Sequence, residues 1–307
     1  MHYPITVFGV KDTTRLFVQY LNENVCHVDL VVTISNKLTE GATISSYGSM
    51  DDLKAFNTEI YETTAYTLDD ETTKTFFSNN TFGIGISMGW SRLIPEYVLE
   101  CFNPGVFGLH GSCGYLPYGQ GRATLNWSLI RGDWRYVMHL FKLDKYADSP
   151  NIYAKEMFEV NEFDDIRTMQ FKDLIVSKRL VSRLLRDYTE GRPITTTYAD
   201  KDIQEWYKGR KPEDGRISFL MKTREIYNLV RAVTRPFPGA FAFTGDKLKV
   251  MIWAAQPFDR IIDFSDSRPG EVLDVLDKSL LLRTIDGSLL VTEHECDRLI
   301  VKGDILC

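Results

Sequence analysis

The feature that most constrains this chain is a series of short β-branched runs separated by helix signals. Residues 5–10 (ITVFGV), 28–34 (VDLVVTI), 82–88 (FGIGISM) and 106–110 (VFGLH) are four such runs. An amphipathic stretch over 13–22 follows the first, and Pro95 opens a short helix before the fourth, because proline is tolerated in a first helical turn. Near-continuous apolar strands between helices predict a doubly wound α/β domain with a mostly parallel sheet. Such sheets bind ligands at the carboxyl ends of their strands. His110 and the turn from Met88 to Pro95 both fall at such ends.

A long amphipathic helix is expected over 164–187, with Met169, Phe171, Leu174, Ile175, Leu180, Leu184 and Leu185 near helical spacing. The polar, punctuated stretch 188–218 then marks a boundary, giving domains 1–200 and 201–307. A helix over 222–233 opens the second domain. After it, strands are expected over 248–254, 271–275, 279–284, 288–292 and 299–301. Asp286-Gly287 between two of them is a hairpin signal. Short strands with regular turns suggest a small β-rich barrel.

Length and charge narrow the function classes. The chain has 307 residues, long enough for two cores at a soft prior of ~150 each. Lys and Arg number 36 against 42 Asp and Glu, a net charge of -6, so no overall basic footprint for nucleic acid exists. From Lys208 to the C-terminus there are 16 Lys and Arg against 15 Asp and Glu, a balance of +1 that makes a poor RNA clamp. No apolar run is long enough for a membrane helix, and the N-terminus lacks the basic region of a signal peptide. The five cysteines are scattered without a CxxC, so a reducing cytoplasm is the expected home. His2, His27, His139 and His294 have no ligand-spaced partners, and no metal site is expected.

The chemistry concentrates in residues 105–132, GVFGLHGSCGYLPYGQGRATLNWSLIRG. A strand-end histidine faces a Gly/Pro-rich loop, and a helix start follows with Asn126 and Trp127. Such a histidine can act as a general base. A second run, 137–142 (VMHLFK), leads to Asp148, and a carboxylate arriving there can orient the imidazole.

These segments resemble the folate-dependent formyltransferases. That family's signature is N-x-H-x-S, then L-P, a G-R loop and N-W. Here it reads Gly108-Leu109-His110-Gly111-Ser112, Leu116-Pro117, Gly121-Arg122 and Asn126-Trp127. Asp148-Ser149-Pro150-Asn151-Ile152 sits where the family has an Asp in a D-x-G-x-I turn, and Gly89-Trp90-Ser91-Arg92-Leu93-Ile94-Pro95 resembles its folate-side turn. Arg210-Lys211-Pro212-Glu213-Asp214-Gly215 and Pro236-Phe237-Pro238-Gly239-Ala240-Phe241 extend the likeness into the second domain. It is nearest to nucleotide-sugar N-formyltransferases of the UDP-aminoarabinose type, and next to methionyl-tRNA formyltransferases. Three departures stand out. Gly108 occupies the position of the family's catalytic Asn. Two extra residues lie between Ser112 and Leu116. Gln120 replaces the loop Arg, and Thr124 a Pro.

The resemblance implies a Rossmann-like catalytic domain followed by a smaller OB-like domain. It also implies transfer of a formyl group from 10-formyltetrahydrofolate to the amine of a nucleotide-linked amino sugar, in glycan biosynthesis. His110 is the implied base and Asp148 its support. With Gly108 bare, a backbone N–H, Asn126, Ser112 or a water must serve the oxyanion. Met88, Gly89, Trp90, Ser91, Arg92, Leu93 and Ile94 are expected to line the pterin slot. Tyr115, Tyr118, Gln120 and Arg122 are expected to face the acceptor, with Arg122 and Lys11 as phosphate contacts. Expected partners are the nucleotide-linked amino sugar and a second copy in a homodimer, with neither membrane nor nucleic acid. Two alternatives are a methionyl-tRNA formyltransferase and a non-catalytic folate- or nucleotide-binding module.

Overall fold

A computed structural model describes residues 1–35, 38, 47–148, 151–199 and 205–307. In chain order its first elements are β1 (His2–Phe8), α1 (Asp12–Asn24), β2 (Leu30–Ile34), β3 (Glu59–Thr63), α2 (Glu71–Asn79), β4 (Thr81–Ser87), α3 (Glu96–Leu99), β5 (Val106–Ser112) and β6 (Tyr118–Gly121). Then come α4 (Thr124–Arg131), β7 (Arg135–Lys142), β8 (Asn151–Glu159), α5 (Ile166–Thr189), β9 (Thr197–Tyr198) and β10 (Glu205–Tyr207). The chain ends with α6 (Thr223–Val233), β11 (Ala240–Phe243), β12 (Lys249–Pro257), β13 (Val272–Leu276), β14 (Ser279–Thr284) and β15 (Gly287–Glu295).

Two compact units emerge. One gathers Met1–Gln120, Val137–Met157 and Leu174–Trp206; the other gathers Gly121–Tyr136, Phe158–Asp173 and Tyr207–Cys307. The sequence-expected boundary between 200 and 201 lies outside the described residues, as do Ser149 and Pro150 of the Asp148 motif.

The first unit is built on an eight-stranded sheet ordered β3-β2-β1-β4-β5-β7-β8-β9. β1, β2, β3, β4 and β5 pair in parallel, whereas β7 lies antiparallel to β5. All five residues of β2 (LVVTI) are buried, the burial a strand covered on both faces requires. Tyr3, Phe8, Phe77, Phe82, Trp90 and Phe102 form an aromatic core beside it. In α1, Thr14, Phe17, Val18 and Leu21 are buried at helical spacing. Asp70 caps α2 by accepting from the Thr73 N–H at 2.9 Å. The chain leaves β1 for β2 on one side and has β4 on the other, so the strand order reverses between β1 and β4. A crevice opens at such a reversal.

The second unit carries a five-stranded antiparallel sheet ordered β11-β12-β15-β14-β13. Thr284 pairs with Gly287, so Ile285 and Asp286 make the turn of the β14–β15 hairpin. The Asp286 carboxylate accepts from both the backbone N–H and the hydroxyl of Thr223, each at 2.7 Å, tying the start of α6 to that turn. Residues 299–301, expected as a strand, are irregular; the C-terminal pairing falls instead on Ile305 and Leu306, as isolated bridges to Glu271 and Thr244. Among the described residues no helix is long and apolar enough to cross a membrane.

Candidate active site

His110 lies within β5, where its backbone is fixed by pairing with His139 of β7. Its side chain is only 9% exposed, and its Nδ1 is 3.3 Å from Oδ1 of Asp148, itself 20% exposed. Its Nε2 is 2.8 Å from the carbonyl oxygen of Gly119. Both ring nitrogens thus face oxygen acceptors. A doubly protonated ring satisfies both at once, and a neutral ring only one. Asp148 sits at φ 48°, a left-handed conformation that Asp tolerates better than most residues. The side-chain amide of Gln120 donates to the backbone carbonyls of Asp148 at 2.9 Å and Ala147 at 3.4 Å.

Ser112 is buried, and its hydroxyl reaches the carbonyls of Gly114 at 3.0 Å and Tyr118 at 2.8 Å. Its single proton therefore serves the loop that follows β5. Tyr115 is 45% exposed, with Nζ of Lys155 4.1 Å from its ring centroid. The Tyr118 N–H donates back to the Tyr115 carbonyl at 2.9 Å, closing the turn. Asn126 and Arg122 belong to the second unit. There the buried Asn126 amide donates to the Ala232 carbonyl at 2.7 Å, while Arg122 is exposed and donates its backbone N–H to the Tyr207 carbonyl at 3.0 Å.

Gly108 has a physical reason. It pairs with Ser87 on one side and Phe141 on the other. A Cβ there would stand 2.7 Å from Cδ2 of Leu143, a partly buried side chain that packs on the aromatic core. An asparagine must therefore push Leu143 aside. Because the atom in the way is the tip of a partly buried leucine, Gly108→Asn is expected to destabilise the chain by about 1 kcal/mol, the low end of overpacking, and to leave kcat little higher. Adding Leu143→Ala should recover part of that stability in urea denaturation. A gain of about tenfold in kcat for Gly108→Asn would instead show a vacant oxyanion position waiting for its amide.

His139 was not picked out by spacing, yet it supports the site. It is fully buried; the Leu116 N–H donates to its Nε2 at 3.3 Å, so Nδ1 carries the proton and donates to the His110 carbonyl at 3.3 Å. Burial, reinforced by the nearby His110 and Lys155, pushes its pKa down to about 4 from 6.5. The neutral ring is the one that holds the loop. Its contribution to stability is complete above the unfolded value and is lost as pH falls from about 6.5 towards 4. Stability should fall by on the order of 3 kcal/mol over that window. In a His139→Gln chain, whose amide oxygen can still accept from Leu116, the slope should shrink; an unchanged slope would assign the acid sensitivity elsewhere.

The turn after β4 is held from the opposite side of the strand-order reversal. The Thr14 hydroxyl donates to the Met88 carbonyl at 2.6 Å, and the Met88 N–H donates to the Phe8 carbonyl at 2.9 Å. Gly89 has φ +82°, and a Cβ there would meet the Thr14 hydroxyl at 2.5 Å, so glycine is required on both counts. Trp90 and Ile94 are buried, Leu93 is 59% exposed, and Ser91 and Arg92 are exposed. Tyr66 braces this turn: its hydroxyl is 2.7 Å from the Ser91 hydroxyl and accepts from the Ser91 N–H at 3.1 Å, and Arg92 lies over its ring. The Trp90 indole N–H is buried without a hydrogen-bond partner. The stem of Lys11 runs beside Gly89, and burial lowers its ammonium pKa. His110, Asp148, Gln120 and Ser112 thus gather in one cluster, and Lys11 gathers with the Met88–Trp90 corner. Tyr66, Thr14, Leu143 and His139 are supporting residues that spacing did not reveal.

Residues 210–300 match the formyl transferase C-terminal domain. Several solved structures share the fold. HypX from Aquifex aeolicus, in complex with tetrahydrofolic acid, superposes with a TM-score of 0.64 at 16% identity, over 97% of this chain and 45% of that one. This chain therefore spans under half the length of HypX. An N-formyltransferase from Helicobacter canadensis, in complex with folinic acid and dTDP-3-aminofucose, has a TM-score of 0.64 at 15% identity, over 95% of this chain and 100% of that one. WlaRD, a sugar 3N-formyl transferase determined with dTDP and 5-N-formyl-THF, has a TM-score of 0.63 at 15% identity, over 97% and 99%. The resemblance to formyltransferases is borne out, in the C-terminal domain and in the fold.

Proposed function

We propose that this chain transfers the formyl group of 10-formyltetrahydrofolate to the primary amine of a nucleotide-linked amino sugar. The observation that carries this reading is the shielded His110–Asp148 pair, 3.3 Å apart, on a formyltransferase fold. The neighbouring N-formyltransferase solved with folinic acid and dTDP-3-aminofucose supports both the folate and the sugar class.

The turn from Met88 to Ile94 suits a flat ligand with apolar faces and a polar edge. It offers a buried indole N–H without a partner at Trp90 and an exposed apolar side chain at Leu93. When bound, 10-formyltetrahydrofolate supplies an activated formyl carbon. His110 accepts the proton that the attacking amine must lose through Nε2, in the tautomer whose Nδ1–H faces Asp148 and whose Nε2 carries no proton; only after the transfer can Nε2–H donate, to the Gly119 carbonyl or to the reacting centre. Asp148 holds Nδ1 and supports the imidazolium that forms. That cation is then a donor for the negative charge developing on the formyl oxygen, in a site whose Ser112 proton serves the loop, and its Nε2 proton would pass to N10 of the folate as the formyl–N10 bond breaks and tetrahydrofolate leaves. Lys11, half-buried beside Gly89, would meet the diphosphate.

Turnover of 10-formyltetrahydrofolate against amino sugars linked to UDP, dTDP and GDP tests the reading. Saturable formylation of one of them is expected, with modest dependence on salt, since a diphosphate needs few cationic contacts. Formylation of charged initiator tRNA with a steep salt dependence, and of no amino sugar, would overturn it.

A further inference from the structure

We propose that Gln120 is a positioning residue for the His110–Asp148 pair, acting through the backbone of Asp148. The inference deepens the formyl-transfer reading and rests on it for its kinetic consequences. Its basis is local. Asp148 must keep a left-handed backbone at φ 48° to turn its carboxylate towards Nδ1 of His110. Its own side chain faces the imidazole, so the turn needs support from elsewhere. The Gln120 amide supplies it, donating to the carbonyls of Asp148 and Ala147 at 2.9 and 3.4 Å. The preceding residue of β6 presents the Gly119 carbonyl to the other imidazole nitrogen at 2.8 Å. Two consecutive residues of one short strand therefore grip both members of the pair, one from each side.

The same strand start is anchored through Tyr118, whose carbonyl accepts from the buried Ser112 hydroxyl at 2.8 Å. Ser112 stands two residues after His110 on β5, so Gln120 is referenced to the strand that carries the base. A side chain anchored in this way acts on the geometry of catalysis rather than on acceptor affinity. Errors near 1 Å in a catalytic group cost up to about a hundredfold.

The test compares unaltered protein with Gln120→Ala and with Gln120→Glu, which keeps the size and removes the donor. In Gln120→Ala, kcat should fall by about 20-fold with KM for the amino sugar within about twofold. In an Asp148→Gly background, where no side chain remains at 148 to be aimed at His110, the same substitution should cost less than about twofold. A rise in KM with kcat unchanged, or an equal loss in both backgrounds, would overturn the proposal and make Gln120 an acceptor contact. An arm without turnover keeps the proposal separate from the reading of function. The imidazole proton and nitrogen resonances of His110, recorded by NMR without substrate, should shift in both Gln120 variants. Coincident His110 signals in unaltered protein and in Gln120→Glu would overturn the positioning role, even in an active enzyme. Absence of formyl transfer by the unaltered chain would overturn the functional reading alone and leave the resonances to decide. If Gln120→Ala does not fold, Gln120→Glu carries both arms.

Discussion

His110→Ala is expected to reduce kcat by about three orders of magnitude while the chain stays folded. General base catalysis contributes about 10²–10⁴-fold, and the neighbouring imidazole cannot take over. His139, its register partner, is buried and held in one tautomer by Leu116 and the His110 carbonyl. That bond to His139 uses the main chain of residue 110, so it survives the substitution, as does the pairing of β5 with β7. The imidazole bonds to Gly119 and Asp148 are lost. The Asp148 carboxylate, 20% exposed, can take water in place of the ring, whereas Gly119 is buried and its carbonyl loses a partner at a cost of about 1–3 kcal/mol, so the unfolding midpoint should fall by several degrees with the chain still folded. Single-turnover formylation alongside thermal unfolding checks both halves. A folded His110→Ala protein within about tenfold of normal kcat would remove His110 as the base.

Why His110 and Asp148 meet was only partly legible from the sequence. Four of the five parallel strands, β1, β2, β4 and β5, were readable because they are largely buried. In β2 every residue is apolar or β-branched, and no alternation competes with the signal. β3 (EIYET) and α2 (ETTKTFFSN) gave no such signal, being polar segments placed by their neighbours. The pair itself was legible through motif order, since a strand-end histidine and a turn aspartate 38 positions apart carry no shared periodicity. Gly108 was visible as a departure, but its cause was not. Leu143 reaches it from beyond the end of the neighbouring strand, and only register reveals that contact. His139, and the bond made by Gln120, a residue expected from the motif to face the acceptor, were hidden for the same reason. A buried ring opposite His110 depends on antiparallel register, and an amide donating to a backbone carbonyl 28 positions away leaves no trace in composition.

Asp148→Asn separates the two things residue 148 does. Asparagine tolerates a left-handed backbone as well as aspartate does, so the turn and the Gln120 bond to its carbonyl should persist. What disappears is the charge facing Nδ1. A neutral amide can still offer an oxygen to Nδ1–H, but it cannot stabilise the imidazolium formed when the amine gives up its proton. It can equally present its NH₂ and hold the ring in the wrong tautomer. The expected loss in kcat is about a hundredfold or more, with KM for the amino sugar little changed, because the substitution acts on proton transfer rather than on binding. Asp148→Gly is the companion. It keeps the backbone conformation at no steric cost and removes the side chain altogether. If the charge carries the effect, the two variants should lose similar amounts. Should Asp148→Asn retain most of the activity while Asp148→Gly does not, an uncharged acceptor would suffice, and the role of residue 148 would reduce to orienting the ring. Retention by both would make Asp148 a turn residue and leave His110 to act without a carboxylate.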